Sequence, residues 1–111
     1  MQLNINSSSN NEWKKIMKEK LSTAKKFEIH CWNEEEQEIK IALKYGTLME
    51  YPWSYGKVIV GDVTEEFKSF ILNQPKPTDT EIYNKMTIFF TINLDNTFWS
   101  EHYGTEINEK K

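Results

Sequence analysis

Phe27-Glu28-Ile29-His30-Cys31-Trp32 is the stretch that decides the fold, because apolar and polar side chains alternate along most of it. Phe27, Ile29 and Cys31 occupy every second position, with Glu28 and His30 between them. Successive side chains of a β-strand point to opposite faces. The stretch therefore predicts a strand with one face against a core and the other face toward solvent.

Four further segments show strand character. The alternation over 39–43 predicts a second strand, which a polar turn over 33–36 joins to the first as an antiparallel hairpin. A short strand is predicted over 57–60. The strongest strand signal of the chain covers 86–94, and a tight turn joins it to a partner strand over 97–103.

Two segments carry apolar residues at the spacing of an amphipathic helix, the first over 10–25 and the second over 63–73. Asp62 precedes the second segment and is a candidate N-cap, because its carboxylate can accept a hydrogen bond from a first-turn amide. The apolar stripe of the first segment is Trp13, Ile16, Met17, Leu21 and Ala24, and that of the second is Val63, Phe67, Phe70 and Ile71.

Together these elements predict one small α+β domain over 10–104. We expect a largely antiparallel sheet of about five strands with two helices packed on one face. The Asn- and Ser-rich residues before the domain predict a flexible N-terminus over 1–9, and residues 105–111 are predicted to be a polar tail.

The charged residues exclude some kinds of partner. Among 111 residues, all 14 basic ones are lysine, and 17 acidic residues give a net charge of -3. Arginine is the preferred side chain for bidentate contacts with phosphate and guanine. Its absence from a net-negative chain argues against direct nucleic-acid binding, whereas a basic protein partner is compatible with this charge.

Cysteine usage and hydropathy predict the compartment. Cys31 is the only cysteine, so no internal disulfide can form, which suits a reducing environment. Residues 1–10 lack the apolar stretch of a signal peptide, and no segment approaches the ~20 apolar residues of a membrane span. We therefore expect a cytoplasmic protein that does not bind membranes.

Catalytic and metal-binding patterns are not recognisable in the sequence. His30, Cys31 and His102 are the only histidine and cysteine residues, and the first two fall on opposite faces of the predicted strand. Their spacing does not match that of zinc ligands. The four glycines form neither a phosphate loop nor a nucleophile elbow. We expect no enzymatic activity, no cofactor and no metal.

The segment 45–56 is rich in aromatic residues and is interrupted by glycine and proline. One interpretation is that its rings close one end of the core. The other is a recognition surface in which Tyr51, Trp53 and Tyr55 anchor a partner, because Trp and Tyr combine a large contact area with a polar group.

Glu34, Glu35 and Glu36 form an acidic run after the first strand. A solvated turn is the simplest interpretation. Together with Asp62, the run would alternatively form a negative patch that steers association with a basic surface and contacts it directly.

These features favour a small binding protein that neutralises a basic protein partner by occluding its active site or substrate surface. In size, acidity, low cysteine content and α+β composition, the chain resembles bacterial toxin-neutralising immunity proteins. That resemblance implies a toxin, such as a nuclease, as the partner. No motif points to a particular immunity family, and the sequence does not indicate an oligomeric state.

Two alternatives stay open. One is a phage or mobile-element inhibitor of a host nucleic-acid enzyme, which differs from the first hypothesis only in the partner. The other is a small-ligand-binding protein or small enzyme that uses 45–56 as a pocket.

Overall fold

A computed structural model describes residues 3–6, 10–50, 54–74 and 85–110 of the chain. Seven strands and three helices lie in these ranges. In chain order they are β1 (Leu3–Asn6), α1 (Asn10–Leu21), β2 (Lys26–Trp32), α2 (Glu36–Ala42), β3 (Thr47–Met49), β4 (Gly56–Asp62), α3 (Glu65–Asn73), β5 (Thr91–Leu94), β6 (Phe98–Glu101) and β7 (Glu106–Glu109).

The strands form one antiparallel sheet in the order β1-β7-β6-β5-β2-β4-β3. β2 pairs on one side with β4 and on the other with β5, so that Ile29 lies opposite both Ile59 and Ile92. Directly opposite residues share a face, and these three isoleucines are fully buried together. The predicted α+β class with a largely antiparallel sheet is confirmed, with more strands and one more helix than expected.

The helices cover one face of this sheet, because their buried side chains join those of the strands in one hydrophobic core. Phe27 on β2 stacks on Phe67 of α3, with ring centroids 4.1 Å apart and planes 7° from parallel. Trp13 of α1 donates from its Nε1 to Ser100 Oγ on β6 at 3.0 Å. The other helix residues with 0 or 1% exposure are Met17, Leu21, Ala42 and Ile71.

Both predicted helices form, with shorter bounds than the apolar stripes indicated. The second helix begins two residues late, because Thr64 caps it: its Oγ1 accepts from the Phe67 amide at 3.1 Å. Asp62 is therefore not the N-cap. Its carboxylate instead forms an ion pair with Lys26, at the paired end of β2 and β4.

The predicted hairpin after β2 is wrong. Residues 36–42 form α2 instead of a strand over 39–43. Both edges of β2 are already occupied, by β4 and β5, so no third strand can pair with it. The local sequence also suits a helix, with Glu36 and Glu38 in the first turn and Lys40 in the last.

The strand predicted over 86–94 is confirmed only for its last four residues, which form β5. Met86, Thr87 and Phe89 are fully buried. The amides of Met86 and Thr87 both donate to the Tyr103 carbonyl, at 2.8 and 3.3 Å. Two amides on one carbonyl do not make a regular ladder, and residues 85–90 are in none of the strands of the sheet.

Left-handed backbone sets the ends of β5 and β6. Asp95 and Asn96 have φ of 55° and 58°, which confirms the predicted turn between these strands. His102 and Tyr103 also have positive φ, of 52° and 60°, so β6 ends at Glu101 and does not reach 103 as predicted.

The two ends of the chain differ from their prediction. Glu106–Glu109 of the predicted polar tail form β7, in which Ile107 is buried against the core. β1, within the predicted flexible N-terminus, pairs with β7. Four-residue strands with one or two apolar side chains leave too weak an alternation to be read from sequence. In the part of the chain that the structure describes, no helix is long and apolar enough to span a bilayer.

Replacing Ser100 by Ala tests the buried contact between α1 and β6. The change leaves the Trp13 Nε1–H buried without its acceptor, so we expect the free energy of unfolding to fall by about 1–3 kcal/mol in urea denaturation. Ser54→Ala is the control, because Ser54 is exposed, and it should shift stability by less than about 0.5 kcal/mol. Equal stabilities of the two variants would show that the hydrogen bond between Trp13 and Ser100 does not contribute to the free energy of unfolding.

Candidate functional site

The acidic run and part of the aromatic segment meet where β2 ends and β4 begins. The Asn33 amide donates to the Tyr55 carbonyl at 3.0 Å, and Asn33 Nδ2 donates to the Ser54 carbonyl at 2.8 Å. These two bonds hold the loop after β2 against the turn before β4. Glu34, the next residue in the chain, is consequently a neighbour of Tyr55.

Three of the predicted partner-binding residues are exposed in this region. Glu34 and Glu36 are exposed, and Tyr55 has 69% of its surface accessible to solvent. Tyr51 and Trp53 lie outside the described residues. The aromatic segment is thus divided: Tyr45 stacks on Phe70 and packs against the core, while Tyr55 faces solvent.

Glu35 differs from its two neighbours, because its carboxylate is used within the fold. Its Oε1 accepts from the Trp32 amide at 2.9 Å, and its Oε2 accepts from the Tyr103 hydroxyl at 2.8 Å. The residue is half-buried and joins the end of β2 to the turn after β6. Charge-assisted bonds of this kind stabilise a fold, so Glu35 is not a free contact residue.

Asp62 also does not join the acidic run. It pairs with Lys26 at one end of β2, whereas Trp32 pairs with Gly56 at the other end. Six residues of extended chain separate the two ends by roughly 20 Å. The predicted patch therefore loses Asp62, and its negative charge is already balanced by Lys26.

The exposed aliphatic residues that follow the acidic run were not predicted from the sequence. Leu48 and Met49 on β3 have 53% and 37% of their surface exposed, and Leu43 after α2 has 41%. With Tyr55, they are all the exposed large hydrophobic side chains of the described residues. The ladder pairs β3 with β4 alone, so it is an edge of the sheet. The residues of Thr47–Met49 do not alternate between apolar and polar, so the sequence pattern did not predict β3.

We use the name α2–β3 surface for the exposed residues Glu34, Glu36, Leu43, Leu48, Met49 and Tyr55 of this stretch of chain. Leu48 and Met49 are successive residues of β3, so their side chains point to opposite faces of the sheet. α2 packs against β2 and β4 and leads from the acidic loop to the edge strand. The sequence from 33 to 57 holds five glutamates and three lysines, a net charge of -2. The glutamates gather at the start of α2, so the negative end of the surface lies beside Tyr55.

The histidine and cysteine side chains form no common site. Cys31 is in the hydrophobic core, whereas His30 Nε2 contacts Glu28 Oε2 at 2.6 Å. His30 and Glu28 point to the face of β2 that is opposite to Cys31. His102 Nδ1 contacts Glu106 Oε1 at 2.9 Å, elsewhere in the fold. Within residues 3–6, 10–50, 54–74 and 85–110, no three His, Cys, Asp or Glu side chains are grouped to hold a metal.

Comparison with known proteins gives no relative: no protein-family model, no curated protein and no solved structure matches the chain.

The environment of Cys31 changes its acidity. Burial, with a smaller contribution from the nearby carboxylates of Glu35 and Glu38, raises the pKa of the thiol from 9.0 to about 12. The thiolate is the nucleophilic form of cysteine. At neutral pH the side chain is therefore a protonated, unreactive core residue.

The raised pKa of Cys31 predicts a loss of stability in alkali. Between pH 9 and 12 the thiol of the unfolded chain loses its proton while the folded one keeps it, so stability present below pH 9 is lost as pH rises. We expect the free energy of unfolding of the unmodified protein to fall with pH more steeply than that of Cys31→Ala, by up to about 1.4 kcal/mol per pH unit. Urea denaturation of both proteins across this range measures it, and parallel curves would contradict the prediction.

Glu35→Ala should be much more destabilising than Glu34→Ala, because of these two glutamates only Glu35 has hydrogen-bond partners among the described residues. We expect a loss of about 1–3 kcal/mol for Glu35 and less than about 0.5 kcal/mol for Glu34. Tyr103→Phe removes one of the two bonds and should give an intermediate loss in thermal or urea denaturation. Similar stabilities of the Glu34 and Glu35 variants would show that the two hydrogen bonds of Glu35 do not stabilise the fold, and Glu35 would again be a candidate partner-binding residue.

Proposed function

We propose that the protein is a non-enzymatic, cytoplasmic binding module that neutralises a basic protein partner. The partner class we favour is a bacterial toxin such as a nuclease, with the protein acting as its immunity protein. The observation that carries the proposal is the position of the exposed apolar side chains. All four large ones among the described residues fall between 43 and 55, next to exposed glutamates.

The two kinds of residue have different roles in this proposal. Tyrosine and aliphatic side chains supply the area that is removed from water on binding, and tyrosine is frequent among the residues that dominate binding energy. The exposed glutamates attract a basic surface from a distance and raise the association rate. Glu34 follows Asn33, whose amide donates to the Tyr55 carbonyl, so in this proposal a basic partner that contacts Glu34 also reaches Tyr55.

Inhibition follows from occlusion. An enzyme that handles nucleic acid carries a positive surface for phosphate. A partner whose basic surface is covered by the α2–β3 surface cannot bind its substrate there. Because the chain contributes only steric and electrostatic blocking, no catalytic group is required of it.

Charge removal at the acidic end of the surface tests the proposal. The partner is first captured from a lysate of the source cell on the immobilised protein, eluted with a salt gradient and purified. We expect Glu34→Gln with Glu36→Gln to slow its association by about threefold or more at low salt and to weaken the salt dependence. Tyr55→Ala should mainly accelerate dissociation.

The matched control is Glu12→Gln with Glu19→Gln, which removes the same charge from exposed positions on α1. Its association rate should stay within the small change expected from net charge alone. Equal slowing by the two double variants would show that only overall charge matters and would remove the α2–β3 surface from the proposal. A captured partner with an acidic surface would overturn the neutralising role itself.

A further inference from the structure

The edge strand β3 is exposed on both faces of the sheet. All three of its residues are exposed, and Leu48 and Met49 carry 53% and 37% of their surface accessible to solvent. In the neighbouring strand β4, Val58 and Ile59 are buried. Because the exposed side chains of β3 lie on opposite faces, the edge itself, and not one face of the sheet, is available for contact.

The hydrogen bonds of β4 show which way its backbone groups point. The Asn33 amide donates to the Tyr55 carbonyl, and the Val63 amide donates to the Lys25 carbonyl. Both bonds continue the register of β2 with β4, and in an antiparallel ladder every second pair is hydrogen-bonded. The odd-numbered residues of β4 therefore direct their N–H and C=O groups to β2, and the even-numbered residues direct theirs to β3.

Leu48 directs its backbone N–H and C=O away from the sheet. Thr47 and Met49 lie opposite Val60 and Val58, which are even-numbered residues of β4, so these pairs are the hydrogen-bonded ones. Leu48 lies between them, in the pair that is not hydrogen-bonded to β4. In the part of the chain that the structure describes, no strand lies beyond β3. An added strand would therefore form its first two hydrogen bonds with Leu48.

The composition of β3 does not prevent such pairing. Edge strands of natural sheets are commonly protected by a charged residue, a proline or a bulge. Thr47–Met49 has no charge and no proline, and its register with β4 is continuous, without a bulge. The strand is only three residues long, however, so the interface is small and the association is weak.

The charges beside β3 favour an identical strand as the occupant. Lys44 precedes the strand and Glu50 follows it, and both are exposed. In an antiparallel pair of identical strands, the Glu50 end of each lies at the Lys44 end of the other, and the two Glu50 residues are kept apart. Opposite charges across a strand pair stabilise it, whereas like charges destabilise it. The stretch 44–50 has no net charge, so a strand of one sign is complemented less well.

We propose that β3 pairs with β3 of a second copy of the chain about a two-fold axis. Leu48 lies opposite Leu48 of the second copy, and each N–H donates to the C=O of the other. Thr47 of each copy lies beside Met49 of the other. The two seven-stranded sheets then continue into each other, and the apolar side chains of β3 are covered. This inference goes beyond the proposed function and does not depend on it.

Sedimentation equilibrium of the full-length protein tests the pairing. We expect the average mass to rise from that of a monomer toward that of a dimer between about 10 μM and about 1 mM, as a small interface allows. Leu48→Pro removes the outward donor without removing a bond to β4, and it should weaken the dimer at least about tenfold. Leu48→Ala keeps this donor and should weaken the dimer less than Leu48→Pro does.

Leu48→Lys is the second variant, in case proline disturbs the strand. It keeps the backbone N–H and places two like charges opposite each other, so it should also weaken the dimer at least about tenfold. Urea denaturation at low protein concentration checks that each variant is folded. Lys14→Ala, at an exposed position on α1, is the control and should leave the dimer unchanged.

The register is tested by cross-linking in a Cys31→Ala background. Cα atoms of a hydrogen-bonded antiparallel pair are roughly 5.5 Å apart, within the range that a disulfide bridges. Leu48→Cys should therefore form a covalent dimer under mild oxidation at least about tenfold faster than Thr23→Cys, an exposed position after α1.

Three outcomes would overturn the inference. A mass that stays monomeric at about 1 mM excludes the dimer. A dimer that the proline and lysine variants leave unchanged uses another surface, and equal cross-linking of the two cysteine variants excludes this register. If the Leu48 amide of a monomer is protected from exchange only when a purified basic partner is added, the edge pairs with that partner instead. The test of the acidic loop uses Glu34 and Glu36, which lie outside β3, so the two proposals fail separately.

Discussion

The pairing of β2 on both edges is the constraint on which the rest of the structure depends. β4 and β5 occupy the two sides of this strand over most of its length, so the chain that follows cannot fold back on β2 as a hairpin. It leaves the sheet, forms α2 and returns as the edge strand β3. The residues of the α2–β3 surface lie on this detour, from the acidic loop to the edge strand.

Close packing around Phe27 fixes the path of that detour. Its ring stacks on Phe67 and also lies close to the backbone at Gly61 and Gly46. A Cβ at Gly61 would lie 2.8 Å from Phe27 Cε2 and 2.8 Å from the Tyr45 carbonyl oxygen, closer than van der Waals contact allows. The chain after α2 can therefore pass over β4 at this point only because neither position has a side chain.

Local patterns predicted much of the fold. The alternation in β2, the apolar stripes of α1 and α3 and the turn at 95–96 all depend on neighbours in sequence, and the structure confirms them. The prediction of a strand over 39–43 was wrong because the alternation of Ile39 and Ile41 fits a strand. The pairing of both edges of β2 depends on residues distant in sequence, which a local pattern does not show. β7 was missed because only its pairing with β6 and β1 gives four residues a strand conformation.

The candidate site was less predictable, since exposure decides it. Glu34, Glu35 and Glu36 are identical in sequence terms, yet one carboxylate accepts from Trp32 and Tyr103 while its neighbours face solvent. Glu36 also has a structural explanation, because an acidic residue in the first turn of a helix contributes about 0.3–1 kcal/mol. Glu34 precedes α2 and does not contribute this stabilisation, and Tyr55 is not buried in the core. The exposure of Glu34 and Tyr55, on either side of the hydrogen bond from the Asn33 amide to the Tyr55 carbonyl, therefore supports the proposed binding role without a competing role in stability among the described contacts.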